Sequence, residues 1–321
     1  MPRMRTARRL ATASALPWVL AAGLRVTGTE RGFPLVPALS FVPHAAATAV
    51  LPLAAAVRTG SRTGVLLSSV AGGALAGALL SRAGSRRTAP PGDGDRLRIA
   101  TVSLRRGLVH PRPVLDLVRR HDVDVLAVAE LTPAAERALR AAGIDELLPH
   151  AHVIPARTGS VLSASGAVWS RRPMRLRGRM PGGFEQPCVR FAVAGGPDVE
   201  LTAIHTPPPS TSPAAVRAWS DDLAALPGPE RGVLRVLAGD FNATLDHAAL
   251  RAVLSRGYAD AAQRAGRALE WTWRPLRLPF PRLGLDHVLV DPRIAVGAVD
   301  LVRVRGSDHR AVVADLVLPR S

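Results

Sequence analysis

Residues 233–244 read Val-Leu-Arg-Val-Leu-Ala-Gly-Asp-Phe-Asn-Ala-Thr. The run 233–237 is aliphatic except for Arg235 and contains two valines, which predicts a strand, and Gly239-Asp240-Phe241-Asn242 follows where that strand ends. Three other stretches share the arrangement. Val-Leu-Ala-Val-Ala-Glu ends at Glu130, Leu-Asp-His-Val-Leu-Val carries Asp286 and His287, and Gly-Ser-Asp-His-Arg-Ala-Val carries Asp308 and His309. Each sets a carboxylate at or beside a run of β-forming residues. Carboxylates at strand ends, with one or two histidines, are what metal-assisted phosphoester cleavage requires. A hard divalent cation takes oxygen ligands, and a carboxylate or imidazole must activate water.

Outward from these stretches, β-type patterning predicts strands at 97–104, 166–169, 189–193, 199–204, 271–273, 286–290, 299–304 and 311–318. The continuous apolar run 123–128 suits a strand covered on both faces. Helical spacing predicts helices at 113–121, 214–226 and 246–256, and another from Thr132 to Gly143 with Thr132 as cap and Pro133 in the first turn. No internal repeat is present. Many strands interleaved with a few helices, in two halves of similar strand number, imply an α/β (α+β) sandwich.

The chain of 321 residues has room for one or two domains. Its formal charge is +17, carried by 42 arginines with no lysine. The arginine bias, with abundant Ala, Gly and Pro, reads first as a compositional effect. A nucleic acid or an anionic lipid is compatible with the charge but not demanded by it. The single cysteine, Cys188, excludes an intramolecular disulfide and a cysteine-based metal site.

The first 88 residues differ from the rest, with eleven arginines and one acid, Glu30. After Arg3, Arg5, Arg8 and Arg9 come uncharged or nearly uncharged runs at 10–24, 33–57 and 65–80. A membrane span needs roughly 20 apolar residues, so the second run qualifies and the other two are marginal. A cleaved signal peptide over 1–24 explains the first run but not the next two. The reading is therefore a multi-pass membrane region over 1–81 with two to three transmembrane helices, in which Gly73-x-x-x-Gly77 suits close helix packing. The arginine-rich start places the C-terminal domain outside the cytoplasm, although Arg82, Arg86 and Arg87 weigh the other way. Residues 82–96 read as a Pro- and Gly-rich linker, and 97–321 as the catalytic domain.

Taken together, the ordered residues resemble the endonuclease/exonuclease/phosphatase superfamily, whose fold is that of deoxyribonuclease I. The resemblance covers about residues 97–321 and rests chiefly on Gly239-Asp240-Phe241-Asn242 and Ser307-Asp308-His309, in order after Glu130 and His205 and around Asp286. It implies a four-layer α/β sandwich of two packed mixed sheets and a Mg²⁺- or Mn²⁺-dependent phosphoester hydrolase. By that resemblance Glu130 and Asp308, with help from Ser103, hold the metal. Asp240 orients or deprotonates water, and Asn242 touches the phosphate or that water. His309 with its partner Asp286, and His205, stand on the phosphate side. Two departures are visible: Ser103 stands where the family has Asn, and Gly284 stands where members often have Arg.

The expected partner is a phosphoester such as DNA or a phospholipid headgroup, with the basic balance favouring nucleic acid. No element for inserting into DNA or lipid stands out. A non-catalytic, membrane-tethered binding module is the rival reading, motivated by Ser103, but a decayed site would have lost more than one member. His287 is read as structural, Asp246-His247 as a helix start, and Trp271 and Trp273 as core.

Overall fold

The computed structural model describes residues 2–83, 94–193 and 195–320. Most of the expected linker lies outside them. The N-terminal part is helical: α1 (Pro2–Ser14), α2 (Leu16–Thr27), α3 (Leu35–Ala38), α4 (Val42–Thr48), α5 (Val50–Thr59) and α6 (Arg62–Ala83). The stretches Arg3–Thr27 and Arg62–Arg82 are long and apolar enough to cross a membrane, and Leu35–Thr48 with Val50–Thr59 is a third stretch bent by 50°. Leu10, Leu20, Leu51, Leu66 and Val70 are exposed on the outside of this bundle, as expected for a surface solvated by lipid. Gly73 and Gly77 have open space where a Cβ would be, so the expected packing motif is not the contact. Gly64 and Gly72 make it instead: a Cβ there would lie 2.9 Å from the Ala56 Cβ and 3.3 Å from the Ala49 Cβ. At one end of the bundle Arg8 Nε donates to Thr59 O at 3.1 Å and Thr12 bonds Ser61 at 2.8 Å.

Two six-stranded sheets form the remainder. The first holds β1 (Arg96–Ser103), β2 (Val125–Leu131), β3 (His150–Ile154) and β4 (Ser165–Ser170). The second holds β5 (Arg175–Met180), β6 (Gln186–Phe191), β7 (Asp198–His205), β8 (Val233–Asp240), β9 (Ala259–Asp260) and β10 (Asp286–Val290). The chain then returns to the first sheet with β11 (Ala295–Arg303) and β12 (Arg310–Val317). The orders are β11-β12-β1-β2-β4-β3 and β5-β6-β7-β8-β10-β9. Each sheet has one parallel pair near its centre, β1 with β2 and β7 with β8, among antiparallel neighbours.

Alternation along the strands builds the layers. Ile99, Val125, Val168, Leu201, Val236 and Val288 fill the space between the sheets. On the other face of the first sheet, Val102, Leu126 and Val128 pack with α7 (Pro111–Arg120) and α8 (Pro133–Ala141), followed by the short α9 (Ile144–Leu147). On the outer face of the second, Ile204, Leu237 and Leu289 pack with α10 (Pro213–Ala225) and α11 (Ala248–Ser255), before the single turn α12 (Ala261–Arg264). The expected four-layer α/β sandwich is thus present. Thr132 caps α8 by accepting from Ala135 N at 3.2 Å, the role its position predicts.

Three expectations are corrected. Residues 271–273 form no strand; Trp273 makes isolated bridges to Leu283 and His309 instead. Edge strand β5 escapes the pattern because its residues are exposed on both faces, five of the six lying open to solvent, and burial cannot impose alternation there. Asp246 does not cap α11. Its buried carboxylate accepts from Arg25 Nε at 2.7 Å and from Arg82 Nη1 at 3.0 Å, joining the helical bundle to the sandwich. His247 strengthens that joint, with Nδ1 accepting from Thr244 N at 2.9 Å and Nε2 therefore donating to Val36 O at 3.0 Å. Val36 itself enters the apolar cluster beside α10 and α11.

Candidate active site

Parallel strands bring their C-terminal ends to one side, and antiparallel partners bring their beginnings to the same side. Ser103, Glu130, His205 and Asp240 therefore end or nearly end β1, β2, β7 and β8, while Asp286 opens β10 and His309 immediately precedes β12. Asp286 lies directly across from Asp240 in the ladder. Glu130, His205, Asp240, Asn242, Asp308 and His309 line a common cavity of about 670 Å³.

The Gly-Asp-Phe-Asn turn has a physical explanation at each position. A Cβ on Gly239 would sit 2.0 Å from Ile204 O, so only glycine lets β7 and β8 approach here. The Phe241 ring is fully buried, and its carbonyl accepts from Thr206 Oγ1 at 2.6 Å and Trp219 Nε1 at 3.0 Å. Asn242 holds φ +45°, a conformation Asn tolerates better than most residues. Its backbone N–H donates to Asp240 Oδ1 at 2.8 Å, and its amide donates to Thr206 O at 2.8 Å and Asp240 Oδ2 at 3.3 Å. The Asn242 nitrogen is thus turned inward, holding Asp240 in place.

His309 Nδ1 is 2.8 Å from Asp286 Oδ2, and its Nε2 is 3.9 Å from Asp240 Oδ2. Asp286 is in turn held by its own backbone, whose N–H donates to Thr272 Oγ1 at 3.0 Å. Ser307 accounts for the serine of Ser-Asp-His: its hydroxyl donates to Ser103 O at 2.8 Å and accepts from His309 N at 3.0 Å. Burial opposes charge on His309, but Asp286 and Asp240 outweigh it and carry the imidazole up to about 10. Burial, with the Asp286 charge beside it, pushes the Asp240 carboxyl up to about 7. Burial, aided by His309, pushes His205 down to about 3, leaving it neutral. Its ring lies 4.5 Å from that of Phe184, and Nδ1 is buried without a partner. His287, beside Asp286, points elsewhere: both nitrogens are engaged, by Asp260 at 2.8 Å and Ala243 O at 2.8 Å, and it is structural.

The cavity also holds the carboxylates of Glu130 and Asp308. Glu130 sits where the β2–β4 register breaks, at φ +54°, a strained conformation that turns a side chain out of the strand. Its Oε2 accepts from Arg106 N. Asp308 Oδ1 and Ser103 Oγ are buried without hydrogen-bond partners. Buried oxygens without hydrogen-bond partners suit a hard divalent cation. Asp240, Asp286 and His309 also bring ligand atoms within 4.8 Å of one another. There, however, Asp286 Oδ2 is committed to His309 Nδ1 at 2.8 Å.

Two features of the site escaped sequence reading. Trp273 is not core: it lines the cavity and its Nε1 donates to Asp308 Oδ2 at 3.3 Å. Pro37, Ser40 and Phe41 of the helical bundle also line the cavity. Only the fold brings that segment to the site, so no local signal announced it.

Two mixed sheets packed face to face, with carboxylates and imidazoles converging at one end, define a phosphoesterase class of fold. The profile of the Endonuclease/Exonuclease/phosphatase family matches residues 101–309, and the chain belongs to that family, whose members are metal-dependent phosphoester hydrolases. The endonuclease/exonuclease/phosphatase from Bacteroides vulgatus superposes with a TM-score of 0.51 at 17% identity, covering 70% of this chain and 100% of that one. A family protein from Bacteroides thetaiotaomicron gives 0.51 at 16% identity, with 71% and 99% covered. D. rerio TDP2, complexed with single strand DNA product, gives 0.52 at 13% identity, with 69% and 99% covered. At such identities the likeness is one of fold. No curated protein sequence matches the chain.

Proposed function

We propose that the chain is a membrane-tethered, Mg²⁺- or Mn²⁺-dependent phosphoester hydrolase, divided into a membrane region over 1–81, a linker over 82–96 and a catalytic domain over 97–321. The observation that carries it is the His309–Asp286 pair beside Asp240, in one cavity with the carboxylates of Glu130 and Asp308, and the buried, unpartnered oxygens of Asp308 and Ser103. Glu130 and Asp308, with Ser103, would hold the cation, whose positive charge would serve to neutralise phosphate charge and the leaving oxyanion.

The protein's own groups do the remainder. Asp240, raised to about 7, accepts a proton from the attacking water, while Asn242 fixes its carboxylate. His309, cationic and oriented by Asp286, stabilises the negative charge on the phosphoryl oxygens or protonates the leaving oxygen. Neutral His205 offers a further hydrogen bond from the phosphate side.

Tethering is supported by the apolar stretches Arg3–Thr27 and Arg62–Arg82. The orientation follows from the arginines. Arg8 and Arg62 gather at the end of the bundle remote from the sandwich, with Arg3, Arg5, Arg9 and Arg58 nearby in sequence. At the other end Arg25 and Arg82 are neutralised by Asp246. By the positive-inside rule this distribution supports a catalytic domain outside the cytoplasm.

The test uses the full chain in detergent, with bis(p-nitrophenyl) phosphate and duplex DNA, in Mg²⁺, Mn²⁺ or chelator, beside Asp240→Asn. Metal-dependent turnover lost in the variant is expected. Turnover that survives both chelator and Asp240→Asn defeats the reading.

A further inference from the structure

The mouth of the active-site cavity is unlike a nucleic-acid groove. Phe41, from the start of the bent apolar helix pair, stands at it, 44% exposed, together with Val161, 60% exposed. Across from Phe41 runs the loop Arg274-Pro275-Leu276-Arg277-Leu278-Pro279-Phe280-Pro281-Arg282. Leu278 and Phe280 are 57% and 59% exposed, so these side chains serve no core. The loop is tied down by its own arginines: Arg274 Nη1 donates to Leu278 O at 3.1 Å and Arg282 Nε to Pro279 O at 3.2 Å. The Arg282 guanidinium also lies over the Phe280 ring, 5.1 Å from its centroid.

This loop meets the membrane region. The Phe280 ring is 6.5 Å from the His44 ring, which is 5.7 Å from that of Phe41. His44 belongs to α4, in the first arm of the bent apolar stretch. The exposed apolar tip is therefore continuous with a surface whose solvent is lipid, and it is interspersed with Arg277 and Arg282. Apolar side chains backed by arginine are what the headgroup boundary of an anionic bilayer favours.

We propose that residues 274–282 dip into the bilayer surface beside Phe41, that the catalytic cavity opens there, and that the substrate is a phosphoester carried by a lipid. The headgroup enters between His309 and Glu130 while the acyl chains stay among Phe41, Leu278 and Phe280. This deepens the hydrolase reading and rests on it. The general positive charge, which favoured nucleic acid, is displaced by the local chemistry of the mouth.

The experiment uses the full chain in nanodiscs of phosphatidylcholine with phosphatidylglycerol and phosphatidic acid. Leu278→Cys carrying an environment-sensitive fluorophore should be blue-shifted and shielded from iodide, while Cys188 is buried and unlabelled. Phosphorus NMR should show headgroup hydrolysis. Leu278→Ser with Phe280→Ser should lower it by roughly tenfold or more, while changing bis(p-nitrophenyl) phosphate turnover by less than about twofold. A label that stays open to iodide overturns the proposal. So does cleavage of duplex DNA but none of these lipids, or equal loss on both substrates in the double variant. A shielded label with no turnover of any phosphoester would overturn the hydrolase reading, and with it the substrate, but leave the membrane contact standing.

Discussion

Arg82, near the end of helix α6, donates to the carboxylate of Asp246, at 3.0 Å through Nη1, and shares that carboxylate with Arg25 of α2. Asp246 is fully buried and the arginine side chains are 7% and 14% exposed. Two cations from separate helices thus converge on one anion four residues beyond Asn242. Removing that anion strands both guanidinium groups, and breaking a buried pair from one side costs about 3–5 kcal/mol. Asp246→Ala should therefore lower the thermal midpoint of the full chain in detergent by several degrees. Replacing the whole cluster, Asp246 with Leu and Arg25 and Arg82 with Met, should cost less, because no unpaired charge remains. A midpoint unchanged by Asp246→Ala would show that the bundle and the sandwich are held together by other contacts.

The His309–Asp286 contact predicts a kinetic effect without a structural one. Asp286→Asn keeps the side-chain shape but removes the charge that keeps His309 cationic. Positioned acid–base groups contribute about 10²- to 10⁴-fold, so kcat on bis(p-nitrophenyl) phosphate should fall by about that range. His309→Ala should fall similarly, and the double variant little further, since the two act as one unit. Multiplicative losses in the double variant would mean that they act independently.

Much of this arrangement was legible in the sequence, for a physical reason. Glu130, Asp240, Asp286 and His309 are tied to strand ends, and strand patterning places strand ends. Gly239 was legible because steric contact with Ile204 O allows no other residue. What stayed hidden depends on long-range contact. Asp246 looks like a helix-start residue until Arg25 and Arg82 reach it from helices far away in the chain. Trp273 looks like core because alternation was read into a segment whose backbone pairs with Leu283 and His309 in isolated bridges rather than a ladder. Within this chain Gly64 and Gly72, not Gly73 and Gly77, make the close contact, because spacing along one helix does not say which face meets a neighbour.

The pH profile follows from the directions of the shifts. Asp240 is raised to about 7, so below that pH it is protonated and cannot accept a proton. His309 is raised to about 10, so it stays cationic until about that pH. Turnover should rise roughly tenfold per pH unit on the acid side, level near neutrality and fall only in strongly alkaline solution. A cation held by Glu130 favours the charged form of Asp240, so saturating metal should move the acid limb lower. A limb that does not respond to metal concentration would place the base away from the cation.

Ser103 offers the sharpest test of the metal wall. Its hydroxyl is buried, 1% of the residue being exposed, and has no hydrogen-bond partner, while its carbonyl accepts from Ser307. A buried hydroxyl without a partner is costly unless a ligand engages it. If it helps to bind the cation, Ser103→Ala should weaken Mg²⁺ affinity by about 10- to 100-fold, the usual effect of losing a supporting group at a metal site. Maximal turnover at saturating Mg²⁺ should fall far less, because Glu130 and Asp308 remain. Titration calorimetry with Mg²⁺ on the full chain separates these quantities from catalysis. If Ser103→Ala binds Mg²⁺ as tightly as the parent and is more stable, the serine merely fills the space that the family gives to asparagine, and the cation is held by the two carboxylates alone.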